Sequence, residues 1–153
     1  MSVFQKIVTI LYELINNILC IFVTFKIVRN KNKAMNKSIL LVDDKPEVAK
    51  IIKLYLTGYN VEYAEDPLKA IEWLNINKPD VIISDLNMPG MSGEDFLCYL
   101  KDKEELKAIP VLILSSVDNS ACRIRLFEEG AADFILKPFN PEELRVRIKM
   151  LIQ

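Results

Sequence analysis

From residue 38 onward the chain repeats one pattern: a short run of unbroken apolar residues, then a longer stretch of helical character. Val81-Ile82-Ile83 and Val111-Leu112-Ile113-Leu114 are continuous rather than alternating. Continuous runs fit strands of a parallel sheet covered on both faces. The pattern predicts strands at about 38–43, 60–64, 80–85, 110–115 and 132–136, and helices at about 45–56, 66–76, 93–102, 118–129 and 141–152. Five βα units in a row imply right-handed crossovers and an α/β, doubly wound sheet. The punctuation agrees. Asp66-Pro67 and Asn140-Pro141-Glu142-Glu143 are helix starts with an N-cap and a proline at N1. Gly58 and Gly130 are expected to end the first and fourth helices, and Pro110 to open the fourth strand. No internal repeat is visible.

With 153 residues, about half of them hydrophobic, there is material for one compact domain plus an extension. The net charge of −1 hides an uneven split. Residues 1–37 hold six of the 20 Lys/Arg and one of the 21 acids, leaving 14 bases and 20 acids for 38–153. An acidic globular part argues against non-specific nucleic-acid binding. Cys20, Cys98 and Cys122 are odd in number and form no CxxC pair, so neither a disulfide framework nor a zinc site is expected, and a reducing compartment is the simpler setting. The absence of histidine removes the commonest general base and the usual catalytic triads.

Residues 2–28 pose a separate question. Ser2, Gln5, Lys6, Thr9, Glu13, Asn16, Asn17 and Thr24 draw one polar stripe along a hydrophobic helix. The stretch is long enough to cross a bilayer, yet a charge such as Glu13 near its centre would cost on the order of 3 kcal/mol in lipid. The basic flank Lys26, Arg29, Lys31, Lys33 and Lys37 would keep the globular part cytoplasmic. Three readings stand side by side: an imperfect membrane anchor, spanning the bilayer or lying in its interface, that would attach the globular part to the inner face of the cell membrane, a helix that packs on a partner or a second copy, or an upstream extension with the natural start at Met35. A cleaved signal peptide is not expected, since no small-residue cleavage site frames the apolar run.

The chemistry gathers at the strand ends. Asp43 and Asp44 follow Ser38-Ile39-Leu40-Leu41-Val42, Asp85 follows Val81-Ile82-Ile83-Ser84, and Lys137 follows Phe134-Ile135-Leu136. In an open parallel sheet, ligands bind at that edge. Three crowded acids repel one another unless a cation sits among them, which implies a divalent metal site with one carboxylate left free to react. Taken singly, each motif has a plainer reading. Asp43-Asp44 could cap the next helix, Ser115 could merely end a strand, Lys137 could be a solvated charge, and Phe134 could be a permanent core ring.

Together, in this order, these motifs resemble a bacterial two-component response-regulator receiver domain over residues 38–152. The resemblance implies a (βα)5 fold with a five-stranded parallel sheet of flavodoxin-like order 2-1-3-4-5. It implies Mg²⁺ held by Asp43 and Asp44, with Asp44 the direct ligand, by Asp85, and by the backbone carbonyl of Asn87. Mg²⁺ is a hard ion that prefers oxygen ligands. In Ser84-Asp85-Leu86-Asn87-Met88-Pro89-Gly90, Asp85 becomes the phosphoacceptor. Ser115 and Lys137 would contact the phosphoryl group, Phe134 would be the switch aromatic, and the peptide before Pro138 would be cis. Ser116 departs from the small alanine usual there, and the segment from Asp44 to Gly58-Tyr59 looks a few residues short.

The function expected from the resemblance is a stand-alone phosphoacceptor with no output domain. A histidine kinase or histidine phosphotransfer protein would supply the phosphoryl group. A downstream protein, or a second copy in a homodimer, would bind the face made by helix 118–129, strand 132–136 and helix 141–152. Arg123, Arg125, Asp133 and Arg147 could form charged pairs there. Two alternatives differ in class. A haloacid-dehalogenase-like phosphatase would need an acid two residues after its nucleophile, where this chain has Asn87. A degenerate receiver serving only as an interaction module would lack the acceptor or the lysine, and both are present.

Overall fold

The computed structural model describes residues 37–152. The segment 2–28, most of its basic flank and Met35 lie outside the described residues, and so do the three readings of that segment. Strands β1 (Ser38–Val42), β2 (Asn60–Ala64), β3 (Val81–Asp85), β4 (Val111–Ser115) and β5 (Asp133–Leu136) alternate with helices α1 (Pro46–Tyr55), α2 (Pro67–Leu74), α3 (Gly93–Asp102), α4 (Ser120–Glu128) and α5 (Pro141–Leu151). All strand pairs are parallel, and the sheet order is β2-β1-β3-β4-β5. Among the described residues no helix is long and apolar enough to cross a membrane.

The unbroken apolar runs are explained by two cores, one on each face of the sheet. Leu40, Val42, Ile82, Val111 and Ile113 point toward α2, α3 and α4, where Ala70, Phe96, Leu97, Leu100 and Leu126 meet them. Ile39, Leu41, Val81, Ile83, Leu112 and Leu114 point the other way, onto Ala49 and Ile52 of α1 and Leu144 and Ile148 of α5. Successive strand residues face opposite sides, so a sheet buried twice needs every position apolar. Each large side chain removed from water in this way contributes about 1.5–3 kcal/mol.

The helix starts follow local chemistry. Asp66 accepts from Lys69 N and Asn140 from Glu142 N, each before a proline at the first helical position. The fourth helix begins at Ser120 rather than 118, because the Asn119 side chain accepts from Ala121 N and Cys122 N and so acts as the cap. Its last residue is Glu128 and Glu129 its cap, followed by Gly130, whose φ of +98° suits a residue without a Cβ. The first helix ends earlier than expected: Tyr55 is its last residue and Leu56 its cap, with Gly58 two residues further on in the turn.

Candidate functional site

Sheet register brings the acids together. Val42 of β1 lies opposite Ser84 of β3, so Asp43 comes out of its strand beside Asp85. Ser115 lies opposite Leu136, so Lys137 leaves β5 at the same edge. One carboxylate oxygen from each of Asp43, Asp44 and Asp85 falls within 4.8 Å of the others. Asp43 is fully buried and Asp85 only 3% exposed.

Lys137 reaches into this cluster from 94 residues away. Its Nζ donates to Asp43 Oδ2 at 2.8 Å and lies 3.0 Å from Asp85 Oδ1, where it forms an ion pair without an aligned hydrogen bond. Asp43 Oδ1 is taken by the Lys45 N–H at 2.9 Å. The plainer reading of the acidic pair is thus met in small part, since Lys45 is the N-cap residue of α1 and has no side-chain cap of its own. It does not account for Asp44. Asp44 Oδ1 and Asp85 Oδ1 are both buried without a hydrogen-bond partner. Buried carboxylate oxygens left in that condition are unfavourable.

Burial pushes the Asp85 carboxyl above its usual range. The Lys137 ammonium opposes that shift, and Asp43 and Asp44 add to it. For Lys137, burial alone would lower the ammonium, but its contacts with Asp43 and Asp85 outweigh burial and hold it above its ordinary value. A site with surplus carboxylate oxygens, one of them (Asp44 Oδ1) without any partner and another (Asp85 Oδ1) met only by the Lys137 ammonium, suits a hard divalent cation. Asp44 and Asp85 carry the free oxygens that such an ion would use, while Asp43 is largely committed to Lys137 and Lys45.

The remaining expected residues lie at the same edge with differing contacts. Ser115 is fully buried, but its hydroxyl is turned into its own loop, accepting from Val117 N at 3.0 Å and donating to Val117 O at 3.3 Å. Asn87 and Ser116 are exposed. Phe134 is turned inward at 8% exposure, with the Arg123 guanidinium 5.9 Å from its ring centre. The Lys137-Pro138 peptide is cis. Of the four charged residues that could pair on the α4–β5–α5 face, Arg147 holds both Asp133 oxygens at 2.9 Å. Arg125 does not pair there. It reaches across to Glu94 on α3 at 2.7 Å, because its position on α4 faces the neighbouring helix.

Two residues of the site escaped sequence reading. Gly93, the first residue of α3, donates its N–H to Leu86 O at 2.8 Å, and a Cβ built there would sit 2.1 Å from Asp85 O. The start of α3 therefore lies directly against the backbone that carries Asp85. A capping box between Ser92 and Asp95 holds that first turn in place. Tyr63, at the end of β2, donates its hydroxyl to the Asp43 carbonyl at 2.9 Å. Burial first, and then the charge of Asp43, keep the Tyr63 hydroxyl above its usual pKa and so protonated as a donor. A glycine in a helical first turn was the only signal for the former, and a polar-tipped aromatic at a strand end for the latter.

Comparison with known proteins gives a consistent result. The sequence pattern of the response regulator receiver domain matches residues 39–149. The chain is similar to the sensor histidine kinase TmoS of Ectopseudomonas mendocina, 38% identical over 74% of this chain and 12% of that protein. It is similar to the phosphate regulon transcriptional regulatory protein PhoB of Escherichia coli, 36% identical over 78% of this chain and 53% of PhoB. It thus spans only about half of PhoB and a small part of TmoS. Among solved structures, the receiver domain of a signal transduction histidine kinase from Syntrophus aciditrophicus superposes with a TM-score of 0.70 at 36% identity, covering 76% of this chain and 89% of that one. The chemotaxis response regulator CheY4 of Vibrio cholerae superposes with a TM-score of 0.71 at 32% identity, covering 75% and 98%.

Proposed function

The chain belongs to the response regulator receiver domain family, and from that premise we propose that Asp85 is its phosphoacceptor. A carboxylate oxygen of Asp85 attacks phosphorus, the bond from phosphorus to the donor's imidazole nitrogen breaks, and a mixed anhydride remains on Asp85. The imidazole regains its proton from solvent. Mg²⁺, held by Asp44 and Asp85 with Asp43 and the Asn87 carbonyl completing the site, would supply charge neutralisation at the transferring oxygens. The observation that carries this reading is the convergence of three carboxylates and Lys137 at the C-terminal edge of one parallel sheet, with Asp44 Oδ1 buried and unpartnered.

Lys137 already bridges Asp43 and Asp85. A phosphoryl group on Asp85 carries more negative charge than the carboxylate it replaces, so the ammonium follows it. Ser115 has only its own Val117 contacts to give up before its hydroxyl can donate to a phosphoryl oxygen. Movement of Ser115 and of the inward Phe134 shifts the population of the face formed by α4, β5 and α5, where a downstream protein or a second copy would bind. Hydrolysis returns the carboxylate and inorganic phosphate, so the chain turns over only its own acyl phosphate. A histidine kinase or phosphotransfer protein is the donor. Residues 2–28 would hold the chain at the inner face of the cell membrane, which co-sedimentation with anionic vesicles tests.

Incubation with acetyl phosphate and Mg²⁺ tests the chemistry. Intact mass should rise by one phosphoryl group in the unsubstituted chain and not in Asp85→Ala. Uptake by both, or by neither, refutes the assignment.

A further inference from the structure

Strand β2 forms one edge of the sheet, and its outer side has no strand partner among the described residues. Asn60 N donates to Lys37 O, and Ala64 O accepts from Asp43 N, so these β2 residues turn their backbone groups toward β1. Direction alternates along a strand, which leaves Val61 and Tyr63 with N–H and C=O groups directed outward. Edge strands are usually blunted by proline, lysine or a bulge. The segment Asn60-Val61-Glu62-Tyr63-Ala64 has no proline, lysine or bulge, its one charged side chain is Glu62, and its pairing with β1 runs without interruption.

A cavity of about 260 Å³ opens beside this edge, between β2 and α2, with Leu40, Glu62, Glu65, Lys69 and Trp73 among its lining. That is smaller than the roughly 300–1,000 Å³ of sites that engulf a small molecule, and it suits a single side chain. Its charge is unbalanced. Lys69 is held by Glu65, whereas Glu62 makes no ion pair among the described residues. A carboxylate without a counter-charge and an indole ring lining one cavity form a receptor for a cation, and guanidinium fits both by bidentate bonding and by stacking. Backbone groups awaiting a ladder and a side-chain cavity beside them are the two components of recognition by strand addition.

We propose that an extended segment of a partner protein adds to the outer edge of β2 as a sixth strand and places an arginine side chain in this cavity, against Glu62 and Trp73. The proposal is independent of phosphoryl chemistry at Asp85.

Trp73 is the single tryptophan of the chain and lines this cavity, so a ligand seated there should change the fluorescence. The full chain is titrated with the capped peptide acetyl-Thr-Val-Arg-Val-Thr-amide up to the order of millimolar. Two control peptides are used, one with Glu in place of Arg and one N-methylated at alternate backbone nitrogens. A saturable change is expected with the arginine peptide. Binding should weaken by about tenfold or more for the N-methylated peptide and for Glu62→Gln, and be absent with the glutamate peptide. A melting curve of Glu62→Gln matching the unsubstituted chain establishes that the variant is folded. No saturable response, equal binding by Glu62→Gln, or equal binding of either control peptide overturns the proposal.

Discussion

Replacing Gly93 by alanine sets local propensity against tertiary packing, and the structure decides the sign. Gly93 begins α3, and by intrinsic preference alanine in a helix is better than glycine by about 1 kcal/mol. The added methyl, however, would lie 2.1 Å from Asp85 O, 2.8 Å from Leu86 Cα and 3.0 Å from Asp85 C. All three atoms are backbone, so no side chain can rotate away, and the start of α3 must move by about 1 Å from β3. Overpacking of this kind costs about 1–3 kcal/mol. The movement also weakens the 2.8 Å bond from Gly93 N to Leu86 O, worth about 1 kcal/mol. Set against the propensity gain, the net expectation is a loss of about 1–3 kcal/mol, or a fall in Tm on the order of 10 °C. Urea and thermal unfolding measure it, with Gly90→Ala as comparison. There the methyl meets nothing within 4 Å, and only the φ of +81° opposes it, at about 1–2 kcal/mol. Phosphate uptake by Gly93→Ala should also slow at temperatures where it is fully folded, because the displaced backbone carries Asp85. A Gly93→Ala protein as stable as the parent would refute the close contact between α3 and β3.

Lys137→Met leaves fully buried Asp43 without its counter-charge, and stability in metal-free buffer should fall by on the order of 3 kcal/mol. Adding about 10 mM Mg²⁺ should raise the urea midpoint of both proteins, and more so in this variant, since a ligand of the folded state stabilises by mass action; no shift in either protein would count against a cation site among the acids. At the opposite end of the sheet, burial opposes ionisation of Asp80, but Lys37 at 2.7 Å and the Ser38 N–H at 2.8 Å outweigh it and hold the carboxyl below its ordinary value. A depressed folded-state pKa gives stability that is present above the unfolded value of about 3.9 and is lost as pH falls through the folded value. Asp80→Asn should therefore be less stable than the parent at pH 7, with the two converging below about pH 4. A constant gap across that range would show that charge is not the cause.

Much of the site could be read from the chain because its chemistry sits at strand ends, and strand ends are local features. Asp43, Asp85 and Lys137 each close an apolar run, so their placement on one edge follows once the runs are strands of one parallel sheet. The contacts of Ser115 could not be read, because its hydroxyl answers to a loop backbone two residues away rather than to a pattern. The partner of Arg125 is hidden for a similar reason. Helical spacing tells which face of α4 it occupies, but not that Glu94 of α3 lies beside that face.

The amino-acid order by itself determined the fold class, the succession of elements and which acids end their strands. Side chains on a strand alternate, so only burial on both faces permits unbroken apolar runs. Packing decided the rest: which carboxylate oxygens remain free, which acid Lys137 neutralises, and why position 93 must be glycine. Those outcomes depend on distances between segments as many as 94 residues apart. Such distances are set by how strands and helices lie side by side, and nothing in a local stretch of sequence encodes them.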